Sequence, residues 1–464
     1  MEDAVNNPSN INPVALLFLL AMGYFILSGR RQVAVKSLLA IAAFLPLGQQ
    51  VVIMGLHFTF LRILILVGLC RVLSRGEARE FRWQGVDKLF LWWVLVGLVF
   101  GVMRSPKAEL FGAAYNSIGV YFLIRCLTKE PEEVIGHLRF LAFAAIVIAI
   151  AMAWELSTHR NPFFVFGGVP EFVVERDGRF RCQGPFRVCI LAGTFAATLF
   201  PLLLGLWRKG GRDKKLALLG MTGCAFSTGA AASSGALITI VMAIIGSALW
   251  PLRLHMRWIR RGIVVAILGL MLVMNAPVWF LIARMGDLLG GTGWYRANLI
   301  QQAIYHFNEW WLIGTSYTAN WPCGEPLPVD PNNIDITNEY IAEGVEGGIL
   351  RLGLFLAIIV ICFKKVGTAI RVERTDPGTV KLWWALGVCL SAHCAAFISI
   401  SYFDQIQVFW FWLWAVIAVL PLKPVPVAVL DDNPLPEQDS QTAQIMAAKS
   451  KTSIGGPEEE LHPA

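Results

Sequence analysis

Apolar runs of near-bilayer length recur along almost the whole chain, separated by short polar links. A helix needs about 20 apolar residues to cross the hydrocarbon core. The runs predict helices at 12–28, 36–55, 58–74, 88–104, 109–126, 136–154, 186–206, 215–232, 235–252, 262–282, 346–363, 381–400 and 406–422. They are continuously apolar rather than alternating, which argues against a β-barrel. Backbone groups in lipid must be bonded internally, so the runs should be helices. The run 36–55 is the weakest, because Pro46 and the pair Gln49-Gln50 interrupt it.

The polar links carry a second pattern. GRRQVAVK (29–36), RVLSRGEAREFRWQGVDK (71–88), RKGGRDKK (208–215), RLHMRWIRR (253–261) and KKVGTAIRVER (364–374) are rich in Lys and Arg, and they alternate with links that are not. By the positive-inside rule, one consistent arrangement has thirteen helices, with the N-terminus outside and the C-terminus inside. If 36–55 is re-entrant, the count is twelve and the N-terminus moves inside. The expected organisation is a polytopic membrane domain over 1–424 with two long outer segments, about 155–185 and 284–345. The tail 425–464 is Pro-, Gln-, Lys- and Glu-rich with few aromatics, which predicts a disordered cytoplasmic extension.

Composition agrees with this pattern. Of 464 residues, 56% are hydrophobic and 15% charged, against about a quarter charged in soluble proteins. The net charge of +7 reads as topology signal in short loops. No basic stripe with interleaved aromatics suggests nucleic acid. The opening MEDAVNNPSNINP lacks the positive flank of a cleavable signal, so the first run is expected to remain as a helix. Most of the nine cysteines lie in apolar runs, where they behave as small buried hydrophobes. No Cys/His cluster suggests a metal. Cys182 and Cys323 fall in different outer loops; a disulfide between them is open, with separate thiols the simpler reading.

The outer segments hold the candidate chemistry. The first carries ERDGRFRCQGPFRVCILAG (175–193), with Arg176, Arg179, Arg181 and Arg187 within twelve residues. This breaks the positive-inside pattern. Guanidinium groups bind phosphates bidentately, so the cluster suits a diphosphate or an anionic head group. The bland alternative is interfacial arginines on phospholipid. The second segment is acidic and aromatic. From Trp294 to Trp311 its apolar residues Leu299, Ile300, Ile304, Phe307 and Trp311 recur at helical spacing, which predicts an amphipathic helix at the membrane surface. Trp294 and Trp310 suit stacking on sugar rings or interfacial anchoring. DITNEYIAEGVEGG (335–348) holds four acids and no base just before an apolar run. A carboxylate there, Glu339 or Asp335, is placed to deprotonate an acceptor hydroxyl. The alternative is that Asp335 caps the helix that follows, with Asn338 and Glu339 in its first turn. His393 lies in a membrane run, as a functional or a structural group. The stretch TGCAFSTGAAASSGA (222–236) reads as close helix packing.

Three blocks resemble the O-antigen ligase/polymerase superfamily of bacterial membrane glycosyltransferases, over roughly residues 90–420. RCQGPFRVCILAGTFAATLFPLLLGLW (181–207) resembles the family's Arg-x-x-Gly-x-Phe segment. TGWYRANLIQQAIYHFNEWWLIGTSY (292–317) resembles the block that supplies a second Arg. DITNEYIAEGVEGGILRLGLFL (335–356) resembles the His-Asn block before the next helix. The resemblance implies an all-helical, GT-C-like, metal- and cofactor-independent enzyme of the bacterial inner membrane with its active face in the periplasm. It implies transfer of a glycan from an undecaprenyl-diphosphate-linked donor to a glycan acceptor. Arg181 and Arg296 match the phosphate-binding arginines, with Arg179 and Arg187 beside the first, and Asn338, flanked by Tyr340, matches the family's Asn. Thr337 stands where ligases carry His, and Ser233-Ser234-Gly235 stands where they carry Ser-Arg-Gly. These departures favour a polymerase of exopolysaccharide or O-antigen repeat units, working with a flippase and a chain-length regulator. The alternatives are a ligase delivering finished glycan to a lipid or protein, and a non-catalytic polysaccharide transporter. The transporter reading is weakened by the lack of a clear repeat or midplane charges.

Overall fold

The computed structural model of the chain describes residues 11–53, 56–176, 178–284, 292–324, 331–373 and 376–421. The proposed tail at 425–464 lies outside the described residues. Helices dominate: α1 (Pro13–Ser28), α2 (Arg31–Phe44), α3 (Phe60–Ser74), α4 (Gly85–Arg104), α5 (Ala108–Leu127), α6 (Glu133–Thr158), α7 (Cys189–Lys209), α8 (Lys214–Ala230), α9 (Ser234–Ala248), α10 (Met256–Val273), α11 (Gly293–Tyr305), α12 (Phe307–Trp310), α13 (Glu339–Val372), α14 (Pro377–Ala396) and α15 (Gln405–Ala418). Two short antiparallel hairpins pair β1 (Gln50–Ile53) with β2 (Leu56–Thr59), and β3 (Val174–Arg176) with β4 (Arg179–Arg181). By length and composition α4, α5, α6, α7 and α13 can each cross a bilayer, and α9 with Trp250–Val273 forms a pair bent by 79°. The chain is an all-α protein with the apolar helices of a membrane protein.

Two apolar helices show what hydrophobicity does in such a fold. α15 (QIQVFWFWLWAVIA) is apolar on every side, and a helix of that kind is buried in a core or in lipid. Here it is the core: every residue from Val408 to Ala418 is buried, with Trp410, Trp412 and Trp414 at 2% exposure or less. α10 is as apolar past its basic start, yet none of its residues is buried by protein, so its side chains are left for lipid. Small residues set the closest approaches, as expected for membrane helices. A Cβ on Gly220 would meet Ala142 Cα at 3.1 Å, and one on Gly223 would meet Ala145 O at 3.0 Å, so α8 lies tight on α6.

The expected helix over 36–55 is not continuous. α2 ends at Phe44, and Pro46, which lacks an amide hydrogen, is followed by the β1–β2 hairpin. Gln49 is buried and its amide oxygen accepts from the Asn12 N–H at 2.9 Å. The Lys/Arg-rich links meet one another: Arg71 donates to Gly29 O at 2.7 Å, Arg139 pairs with Asp213 at 2.7 Å, and Lys209 pairs with Asp376 at 2.7 Å. The other links converge as well, as the next section describes. All nine cysteines are free thiols, Cys182 and Cys323 included.

Candidate functional site

The site starts from a turn. Residues 182–187 leave β4 and enter α7, and every polar group in the turn is held. Glu155, at the end of α6, accepts from the Gln183 and Gly184 N–H groups at 3.0 and 2.9 Å. Asn161 donates to Gly184 O at 2.8 Å, and Gln405 donates to Pro185 O at 2.6 Å. The Cys182 N–H reaches Ala230 O at 3.0 Å. Gly184 has φ +54°, a conformation that glycine adopts at least cost. The turn is a fixed mount for the arginines on either side of it.

On one side stands the β3–β4 hairpin. Its register pairs Val174 with Arg181, Glu175 with Phe180, and Arg176 with Arg179. Paired residues share a face and alternate residues switch faces. Val174, Arg176, Arg179 and Arg181 therefore occupy one face, while Glu175 and Phe180 occupy the other, where Phe180 packs on the His159 ring at 4.0 Å. Three guanidiniums leave the hairpin together.

Arg296 meets them from α11. It is 93% buried, its exposure being 7%, and its Nε has no protein hydrogen-bond partner. Its charged neighbours are Arg176, Arg181 and Asp335. Burial first, and then the like charges of Arg176 and Arg181, bring the Arg296 guanidinium down to about 10, with Asp335 opposing them. It stays protonated at neutral pH. The Nε of Arg181 is likewise buried without a partner. Asp335 is raised by burial against the pull of Arg296. Burying a cation without hydrogen bonds costs several kcal/mol, and like charges add to that. The arrangement suits an anion with several acceptor oxygens.

α11 holds Arg296 in place through a small core of its own. Tyr295, Leu299 and Ala303, four residues apart, pack with Trp310, Trp321, Ile341 and Val345. The expected stripe differs, because Ile304, Phe307 and Trp311 are exposed while Leu299 turns toward α13. The helix also ends at Tyr305 and restarts as α12, so one stripe cannot run through both. The Tyr295 hydroxyl donates to Asp335 O at 2.5 Å. Trp310 is buried and donates to Ala303 O at 2.8 Å, with its ring over Gly344. Trp294 is exposed and meets Phe280 edge-on at 5.5 Å.

The third block splits into two parts. The cap expected at Asp335 is made by Asn338, whose side chain accepts from the Ile341 N–H at 3.2 Å, because helical backbone begins only at Glu339. Glu339 is buried and accepts from the Tyr402 N–H at 2.6 Å. Tyr340 donates to Cys394 O at 3.0 Å. Glu343 accepts from Trp93 Nε1 at 2.7 Å and pairs with Arg351 at 2.9 Å, and Arg351 reaches Glu346 at 2.6 Å. α13 breaks at Gly347 and Gly348, the latter at φ +65°. Arg104 donates to the Thr315, Val345 and Glu346 carbonyls at 2.7, 2.9 and 2.6 Å.

The structure thus brings Arg181, Arg296 and Asp335 together and sets Glu339 in a separate acidic group. Arg179 is exposed on the shared hairpin face. Arg187 turns to the other side of the 182–187 turn and pairs with Asp404 at 3.5 Å. Arg176 stood in the arginine cluster of the first outer segment but had no match in the resembled family; the dipeptide Asp177-Gly178 between VER and RFR is a hairpin signal that pairs it with Arg179. Glu343 and Arg351 were passed over, since a continuous helix would not bring them together. Among the described residues no three His, Cys, Asp or Glu side chains form a metal-binding group. Compared with known protein families and with characterised proteins, the chain matches none.

Proposed function

We propose that this chain is a membrane glycosyltransferase that takes its donor as a polyprenyl diphosphate, at the periplasmic face of a bacterial inner membrane, and polymerises oligosaccharide repeat units. The observation that carries this reading is the meeting of Arg176 and Arg181 with Arg296, a buried cation whose Nε has no hydrogen-bond partner. A diphosphate supplies the charge and the acceptor oxygens that such a group lacks. The exposed apolar helices, α10 above all, suit a lipid-borne substrate.

In the reaction the acceptor hydroxyl oxygen bonds to the anomeric carbon of the donor sugar. The bond from that carbon to the diphosphate oxygen breaks, and the carrier diphosphate leaves with the electron pair. Arg176, Arg181 and Arg296 stabilise the charge that grows on it, a contribution worth about 10²–10³ in rate per donor removed in comparable sites. Asp335, the carboxylate that Arg296 faces among the described residues, takes the acceptor proton. Glu339 already accepts a backbone hydrogen bond and serves to fix the loop.

The test is Arg181→Ala and Arg296→Ala in the native host. Both variants are expected to accumulate in the membrane and to make no secreted polymer. Normal polymer from both would sink the reading. In a deletion strain, single repeat units left on the carrier support polymerisation, and full-length polymer stranded there would reassign the chain as a ligase.

A further inference from the structure

The 182–187 turn has a second flank, and it borders a cavity of about 430 Å³, within the size range of small-ligand sites. Arg187, Asp404 and Gln50 line it with polar groups, and Gly48 and Gly168 form part of its wall. The two glycines meet almost backbone to backbone: a Cβ on Gly48 would lie 3.2 Å from Gly168 Cα. A second cavity of about 100 Å³, lined in part by Thr59, Asn116 and Gln407, shares Asp404 with the first. Asp404 therefore borders two hollows, the larger lined by charged and amide groups and the smaller mixed, with Leu61, Val120 and Phe411 in its wall.

The backbone of Asp404 is unusual. It has φ +53° and ψ −131°, a combination that a residue with a Cβ rarely adopts and holds only under strain. The structure holds it from both sides. Before it, the Tyr402 N–H donates to Glu339 at 2.6 Å; after it, Gln405 donates to Pro185 O at 2.6 Å. A strained conformation pinned by hydrogen bonds to two other loops is a reason to ask what the side chain does.

The charges define the ligand. Arg187 and Asp404 compensate one another, so the cavity does not favour an anion as the Arg296 cluster does. One carboxylate is too few for a divalent cation. A carboxylate, a guanidinium and an amide around a hollow of this size match the mixed donors and acceptors of a polyol. We propose that this cavity is a sugar-binding site, taking the hydroxyl-rich end of a glycan acceptor on Asp404, Arg187 and Gln50.

Its role as an acceptor site rests on the glycosyl-transfer reading; its ligand chemistry does not. Arg181 and Arg187 flank one short turn, so the two sites lie within about 20 Å, the extended length of the connecting chain. The diphosphate is held on one side and the growing glycan on the other, and the turn fixed by Glu155 sets the distance between them.

The experiment uses the full chain in lipid nanodiscs. The probe is a set of short oligosaccharides released by mild acid from the host's own secreted polysaccharide, with binding read by thermophoresis and saturation-transfer NMR. Asp404→Gly and Arg187→Ala are expected to bind at least about tenfold more weakly. Asp404→Gly is expected to keep or raise Tm, because glycine adopts positive φ freely. Arg296→Ala is expected to bind the oligosaccharides as the unaltered protein does. Undiminished binding by Asp404→Gly and Arg187→Ala, no binding by the unaltered protein, or a lowered Tm in Asp404→Gly would each overturn the site. Normal polymer from both Arg181→Ala and Arg296→Ala would instead overturn the glycosyl-transfer reading and leave a measured sugar site standing.

Discussion

Two groups of buried charge stand four residues apart along the chain and are built on opposite terms. Around Glu343 the acids find partners inside the protein: Arg351 pairs with Glu343 and Glu346, Trp93 donates to Glu343, and Tyr402 donates to Glu339. Around Arg296 the cations outnumber the acids, and among the described residues Asp335 is the acid that Arg296 faces. The first group fastens α4 to α13. The second has its hydrogen-bonding capacity left over. Buried charge that is satisfied within the fold belongs to the frame, and buried charge left short of partners marks the place where something else binds.

Removing one member of each group should separate these roles. Arg351→Ala leaves Glu343 buried without its cation, which costs about 3–5 kcal/mol. The expected result is a large drop in Tm and in membrane protein level, partly restored by adding Glu343→Gln. A fully stable Arg351→Ala protein would contradict the pairing. Asp335→Asn, in the other group, is expected to keep its Tm and to lower transfer by about a hundredfold, measured as polymer formed by membrane vesicles given the native lipid-linked repeat unit. Glu339→Gln is its control: it should lower Tm and leave the transfer rate per folded molecule within a few-fold. The reverse ranking would exchange the roles of the two carboxylates. The smallest effect belongs to the cap. Asn338→Ala should cost about 1 kcal/mol and shift Tm by a few degrees, with transfer intact.

Much of the frame was legible in the sequence, because apolar runs impose helices wherever backbone groups must be bonded internally. The departures have local causes. At 36–55 the interruption read at Pro46 is where the run breaks, α2 ending at Phe44 just before the residue that lacks an amide hydrogen. On α11 the expected run to Trp311 is cut at Tyr305, and its apolar residues divide, Leu299 turning toward Ile341 and Val345 while Ile304 and Trp311 face out. The site was legible in part. Arg181, Arg296 and Asp335 were singled out and do meet. Arg176, already in the arginine cluster, could be set beside Arg296 only by seeing that VER and RFR pair as a hairpin and bring alternate arginines onto one face. Arg351 required the break at Gly347 and Gly348. Asp404 depended on a backbone conformation that the sequence ISISYFDQIQ does not announce.

The lobe between Thr315 and Val345 leaves and re-enters at one joint. The Thr315 N–H bonds Val345 O at 2.9 Å and the Ile349 N–H bonds Trp311 O at 2.8 Å. A Cβ on Gly314 would fall 2.2 Å from Val345 O, one on Gly348 would fall 2.3 Å from Leu312 O, and Arg104 grips both strands of the joint. A loop tied off at its base is topologically a cassette. Its two ends stay together whatever lies between them, and the joint itself, with no room for a Cβ at Gly314 or Gly348, admits no exchange.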